Sequence, residues 1–186
     1  MSNLMDCLSS LQPNDSKVQF LEQVRQKIVS AGYQIAESDT QKPWGAFFRI
    51  QSKQADMFIQ DFPFGVTTEE ARLGIAEAEL SPKILVVLPG QRLSWQYHNR
   101  RAERWVFLTP GAYRRSLDDI ESERFEASAG EVVQFGCNER HRLEGMPESI
   151  VLVAEIWQHS NPNAPSNEED IVHLADDYKQ NLTLQS

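Results

Sequence analysis

The chain has 186 residues, enough for one domain with a full core and too few for a comfortable pair. Its 27 acidic residues against 18 basic ones leave a net charge of -9, so no basic field reaches outward for nucleic acid or an anionic membrane. No stretch approaches the roughly 18 consecutive apolar residues of a membrane-spanning helix. The opening Met1-Ser2-Asn3-Leu4-Met5-Asp6 has no basic segment and no apolar run of signal length, and Cys7 and Cys137 lie far apart. The expectation is a soluble cytoplasmic protein with free thiols.

From residue 17 to 31, Val18, Phe20, Leu21, Val24, Ile28 and Val29 recur at three- and four-residue spacing, with Ser16 placed to cap the run and Gly32 to stop it. This predicts one amphipathic helix in an N-terminal extension, residues 1–41, packed on a main domain of residues 42–186. After Pro43 the texture changes to short apolar runs broken by Gly, Pro, Asn and Asp. Strands are predicted near 46–51, 84–88, 92–98, 104–109, 113–117, 124–127, 132–135 and 149–158, a count that suggests a closed or doubled antiparallel sheet. The Ala- and Glu-rich stretch 65–80 reads as either a short helix or a loop. Residues 161–166 read as a turn-rich linker and 168–178 as a short acidic helix.

The segment Gly90-Gln-Arg-Leu-Ser-Trp-Gln96-Tyr-His98 is followed, after four residues, by Glu103 and, after seven more, by Gly111. Alternate side chains of a strand share a face, so Gln96 and His98 point the same way, and a tight connection returns Glu103 beside them. The second segment, Gly130-Glu-Val-Val-Gln-Phe-Gly136-Cys-Asn138-Glu-Arg-His141-Arg-Leu-Glu-Gly145, enters a Gly/Asn turn and leaves with a histidine, a fourth donor.

These two spacings resemble the paired motifs of the cupins, Gly-x5-His-x-His-x4-Glu-x6-Gly and Gly-x5-Pro-x-Gly-x2-His-x3-Asn. Gln96 stands at the first histidine, one extra residue precedes Gly111, and Gly136, Asn138 and Gly145 stand for the usual Pro, Gly and Asn. Glutamine at that position, the stretch from Pro89 to Trp105, the entry Lys42-Pro43-Trp44-Gly45 and the tail Glu169-Asp170-Ile171-Val172 are together similar to the type II mannose-6-phosphate isomerases. The resemblance runs from about residue 42 to 179. It implies an all-β fold, the cupin double-stranded β-helix or jelly-roll barrel, with the N-terminal helix and short helical decorations. The 186 residues show no Gly-rich phosphate loop, so guanylyl transfer, the activity of the nucleotidyltransferase domain often fused to such proteins, is not expected of them.

The resemblance further implies one divalent metal held by Gln96, His98, Glu103 and His141. The donor set suits Zn²⁺ first and leaves Mn, Co and Ni open. It implies a phosphosugar as the small-molecule partner and isomerisation of mannose 6-phosphate to fructose 6-phosphate, with the metal as Lewis acid. Glu155, alone in the apolar run Val153-Ala154-Glu155-Ile156-Trp157, matches a family glutamate and is the candidate base; a carboxylate paired with an inward arginine is the alternative. Arg101 is a candidate for both catalysis and phosphate binding, joined by Arg140, Arg142 and Lys42. Arg114 and Arg115 read as a solvated pair, His159 and His173 as solvated histidines, and Cys137 as a half-buried thiol near the site. Trp95, Tyr97, Trp105 and Phe107 read as packing residues. A homodimer through sheet edges is expected. Two other functions keep the same ligands: a metal-dependent cupin of dioxygenase type and a sugar-binding cupin without turnover.

Overall fold

The computed structural model describes residues 3–11 and 16–179. Helices α1 (Leu4–Ser9) and α2 (Lys17–Ser30) come first, followed by strands β1 (Ile35–Asp39) and β2 (Gly45–Ile50), then α3 (Ala55–Asp61) and α4 (Thr68–Arg72). The remaining elements are strands: β3 (Lys83–Val87), β4 (Trp95–Tyr97), β5 (Arg101–Phe107), β6 (Gly111–Ser116), β7 (Phe125–Ala127), β8 (Val132–Phe135), β9 (Arg140–Glu144), β10 (Val151–His159) and β11 (Val172–Ala175). They form two antiparallel sheets, ordered β1-β2-β3-β10-β5-β8 and β11-β4-β9-β6-β7, the jelly roll that the sequence motifs imply.

The larger sheet is covered on both faces, which explains why β3 and β10 read as continuous apolar runs rather than alternating ones. Ile84, Val86, Leu152, Ala154 and Ile156 face one cluster with Phe20, Leu21, Val24 and Ile28 of α2. Leu85, Val87, Val151 and Val153 face the opposite cluster, between the sheets, with Trp105, Phe107, Phe135 and Leu143. Each such side chain contributes roughly 1.5–3 kcal/mol by leaving water. On β10 the inward parity continues from Val153 to Glu155, so a carboxylate enters a layer otherwise built from apolar side chains.

Helix α2 starts where expected, with the Ser16 side chain accepting from the Gln19 N–H. Its buried stripe is narrower than the periodicity predicts, because Val18 and Val29 lie on the solvent side. Within 65–80 the helix is α4, closed by a reciprocal Thr67–Glu70 capping box. Three strands go beyond the sequence reading. Strand β1 pairs with β2 from within the N-terminal extension, and β9, whose sequence Arg-His-Arg-Leu-Glu shows no apolar alternation, runs between β4 and β6. The expectation of an acidic helix over 168–178 is corrected: Val172–Ala175 is β11, paired with β4. An open sheet edge supplies backbone partners that a short helix there lacks, and it overrides the local propensity.

Candidate metal centre

Both sheets contribute to the site. On the smaller one Gln96 of β4 lies directly opposite His141 of β9, and His98 follows one residue after β4. Glu103 comes from β5 of the larger sheet, brought across by the short connection that the sequence spacing predicts. His98, Glu103 and His141 are all buried, and one donor atom from each lies within 4.8 Å of the others. His98 Nε2 is 2.9 Å from Glu103 Oε1, and His141 Nε2 is 3.3 Å from Glu103 Oε2. Two ligands 2.0–2.2 Å from a tetrahedral ion sit about 3.4 Å apart, close to these separations.

The hydrogen bonds behind the imidazoles define what faces inward. His98 Nδ1 lies 2.6 Å from the Asp170 carbonyl, and His141 Nδ1 lies 2.9 Å from the Glu139 carbonyl. A carbonyl only accepts, so each Nδ1 carries the proton and each Nε2 presents a lone pair to the carboxylate. Glu103 Oε2 and His141 Nε2 are accordingly two of the three buried side-chain polar atoms without a hydrogen-bond partner among the described residues. Acceptors that face one another in a dry interior call for a cation between them. Burial lowers the His98 pKa against the pull of Glu103, which keeps the ring neutral. Burial opposes an ionised Glu103, yet positive charge placed between it and His98 and His141, a proton at Nε2 or a cation in its place, joins the Arg101 guanidinium in holding it well below the usual carboxylate range. The buried histidine–glutamate–histidine group therefore has the chemistry of a divalent-metal site, and Gln96 sits beside it with its Oε1 accepting from Ser94 Oγ at 2.7 Å.

A cavity of about 410 Å³ opens over this group, with Gln96, Glu103, Arg101, Glu155, Lys83 and Lys42 among its walls. Glu155 is 6% exposed; Trp105 Nε1 donates to its Oε2 at 3.0 Å, and Lys83 Nζ lies 3.6 Å from its Oε1. Burial, reinforced by Glu103, raises the Glu155 carboxyl to about 7, against the opposing pull of Lys83 and Arg101. Among the described residues the ion pair on this carboxylate is with a lysine and not with an arginine. Arg101 reaches the cavity with Nε donating to Glu103 and one terminal nitrogen to Ser166 Oγ and the carbonyls of Asn167 and Asp170, while its other terminal nitrogen lies 3.5 Å from His98 Nε2. Its guanidinium also stacks 3.9 Å from the Trp157 ring centre.

Arg140 and Arg142 are not on the cavity wall. Arg140 binds Asp119 and lies over Tyr97, while Arg142, 1% exposed, binds Glu121, Asp177 and the Leu93 carbonyl. Lys42 is on the wall, 3.4 Å from Asp39. Arg114 and Arg115 are engaged by Glu144 and Glu139. The Cys137 thiol turns to the Asn99 carbonyl at 2.7 Å, outside the ligand group. The reading of His159 as solvated is corrected: it ends β10, 2% exposed, held by the Glu79 carbonyl and the Ser166 N–H. His173 is exposed but not free of partners, since β11 places it opposite Gln96 on the cavity wall, 3.0 Å from Ser94 Oγ. Sequence reasoning missed Lys83 and Asp170. Lys83 had a signal, as the only charge in the run Lys83-Ile-Leu-Val-Val; Asp170 had none beyond its place in the tail motif.

Fold and site together define an all-β jelly-roll barrel with a buried histidine–glutamate–histidine group able to hold a metal. No protein-family model matches the chain, and no curated protein does. Among solved structures it is similar to the capsular polysaccharide assembling protein CapF from Staphylococcus aureus, at 12% identity and a TM-score of 0.50, over 86% of this chain and 41% of that one. CapF with the inhibitor 3-isopropenyl-tropolone gives 12% identity and 0.51, over 89% and 42%. The chain spans about two fifths of the length of those structures. The formate complex of Lactobacillus farciminis oxalate decarboxylase follows at 17% identity and 0.46, over 76% and 33%. At these identities the CapF likeness carries the fold and nothing finer. No helix among the described residues is long and apolar enough to cross a membrane.

Proposed function

We propose that this chain is a metal-dependent aldose–ketose isomerase acting on a phosphosugar, with mannose 6-phosphate and fructose 6-phosphate as the pair to test first. The observation that carries the reading is Glu155: a buried carboxylate, held by Trp105 and Lys83, in the wall of the same cavity as Glu103 and Gln96, with burial raising its pKa. Such a group exchanges a proton near neutral pH, which a reaction that moves hydrogen between C2 and C1 requires. The similarity of residues 42–179 to the type II mannose-6-phosphate isomerases supports the same chemistry.

Gln96, His98, Glu103 and His141 would hold the ion, which when bound supplies Lewis-acid polarisation of the sugar carbonyl and its neighbouring hydroxyl. Glu155 takes the C2 proton of the aldose and returns it at C1 of the ketose, while the O2 hydroxyl proton is released to solvent and O1 takes one up, so no atom is gained or lost. Lys83, 12% exposed and paired with Glu155 and Glu168, keeps a positive charge beside the electron-rich intermediate. Arg101 acts as a positioning residue, since its guanidinium is held by Glu103 and the tail and its remaining nitrogen faces His98 Nε2. The phosphate is assigned to Lys42 and Lys179, the more exposed cations of the wall, where holding a dianion demands least desolvation. Arg140 and Arg142, outside the cavity, have no role in this proposal.

The test incubates Zn- or Mn-loaded protein with mannose 6-phosphate in D₂O and follows C2 exchange and fructose 6-phosphate by NMR. Turnover is expected from the wild type, lost in Gln96→Ala and His98→Ala and reduced about 10²- to 10⁴-fold in Glu155→Gln. Metal-loaded wild type that neither exchanges deuterium nor forms product would refute the assignment.

A further inference from the structure

His98 differs from His141 in the origin of its support. The carbonyl that orients His141 belongs to Glu139, two residues away, whereas the carbonyl that orients His98 belongs to Asp170, in the tail 72 residues on. The Asp170 carbonyl also accepts from Arg101 at 3.0 Å, and Arg101 in turn donates to Glu103 Oε1 at 3.1 Å. One tail peptide group thus touches one ligand directly and a second through a single guanidinium.

The Asp170 side chain fixes that peptide in place. It is 4% exposed, and its two oxygens accept from the Asn99 N–H at 3.0 Å, the Arg100 N–H at 2.9 Å and Ser166 Oγ at 2.7 Å. Asn99 and Arg100 belong to the turn that joins His98 to β5 and Glu103, so the carboxylate clamps the connection between two ligands while its own carbonyl orients the first. The hydrogen bonds from Ser166, Asn99 and Arg100 hold the Asp170 carboxyl below its ordinary value, so burial does not neutralise the clamp.

We propose that Asp170 is a positioning residue of the metal centre, fixing the His98 tautomer and the His98–Glu103 spacing, so that metal affinity depends on the docked tail. The inference rests on the metal-site reading above. Partners of this kind behind a ligand, when removed, weaken metal binding about 10- to 100-fold.

The experiment measures Zn²⁺ affinity of the full chain by competition with a chromophoric chelator for wild type, Asp170→Ala, Asp170→Asn and Asp177→Ala. Asp177 anchors the same tail through Arg92 and Arg142 and touches no ligand, so it reports a merely structural role of the tail. Asp170→Ala is expected to weaken Zn²⁺ at least tenfold, Asp170→Asn less, and Asp177→Ala by under threefold. A second readout is ¹⁵N-imidazole NMR of the metal-free proteins, where His98 is expected as the single Nδ1–H tautomer in wild type and as a mixture in Asp170→Ala. If the alanine variant does not fold, the asparagine variant carries both measurements. Equal losses in Asp170 and Asp177 variants, or affinity and tautomer unchanged in the former, overturn the proposal while leaving the metal site standing. Wild-type protein that binds no Zn²⁺ removes the metal reading itself.

Discussion

Glutamine at position 155 keeps the shape of the side chain and its acceptor for Trp105 while removing the titrating group. In the metal-free protein the Glu155 carboxyl stands at about 7 against an ordinary 4.5. Between those values the folded chain binds a proton that the unfolded chain has released, so the contribution is fully present below 4.5 and is lost as pH rises through about 7. At 1.36 kcal/mol per tenfold change in the equilibrium, wild type loses roughly 2 to 3 kcal/mol between about pH 5 and pH 8 that Glu155→Gln does not lose. His98, lowered by burial, contributes the opposite slope, but it does so in both proteins and cancels in their difference. Urea unfolding in EDTA at four pH values, followed by tryptophan fluorescence, measures the difference directly. A difference that stays flat, or that moves in favour of wild type as pH rises, would mean that Glu155 ionises like an exposed glutamate. Glu155 would then not serve as a base near neutrality.

Two further substitutions probe the fold and the cavity mouth. A Cβ at Gly45, where φ is +151°, would meet the Val86 carbonyl oxygen at 1.9 Å, and both sides of that clash are backbone. Gly45→Ala is therefore expected to cost about 4 kcal/mol or more, or to abolish folding, as read by circular dichroism and the urea midpoint. The double variant Lys42→Ala/Lys179→Ala is expected to raise KM for mannose 6-phosphate at least tenfold with kcat nearly unchanged; a loss in kcat alone would place the phosphate elsewhere.

The parts of the site that came through in the sequence are those written in local spacing. Gln96 and His98 share a face because a strand has period two, and Glu103 follows a turn too short to carry it away. His141 was read as the histidine leaving a Gly/Asn turn, but its strand, Arg-His-Arg-Leu-Glu, was not, because it is held by neighbours on both sides rather than by its own alternation. The tail was misread for a related reason: Val172 to Ala175 follows a run of acidic residues, and what makes it a strand is the free edge of β4, 75 residues earlier in the chain. Asp170 was invisible for the same cause, and the lone charge of Lys83 in its apolar run did not say what it faces, since the importance of both lies in contacts of long sequence separation. The arginines near the motifs misled because proximity in sequence says nothing of which face a guanidinium takes, and Arg142 faces a carboxylate pair outside the cavity.

The charge of the cavity links the metal to the substrate. Its walls carry four cations, Lys42, Lys83, Arg101 and Lys179, against five carboxylates, so without an ion the cavity has no net attraction for a phosphosugar dianion. Adding a dication changes its charge by two, which for a dianion about 10 Å away in a water-like dielectric is worth about 1.7 kcal/mol, or roughly fifteenfold in affinity. Chelation should therefore weaken mannose 6-phosphate by at least that factor while weakening mannose, which has no phosphate, less. Titration calorimetry on the turnover-deficient Glu155→Gln protein, loaded and stripped, separates the two ligands without product formation. Equal losses for both sugars would show that direct ligation, and not the field, accounts for the coupling; equal affinities of loaded and stripped protein for mannose 6-phosphate would show that the metal and the phosphosugar do not share this cavity.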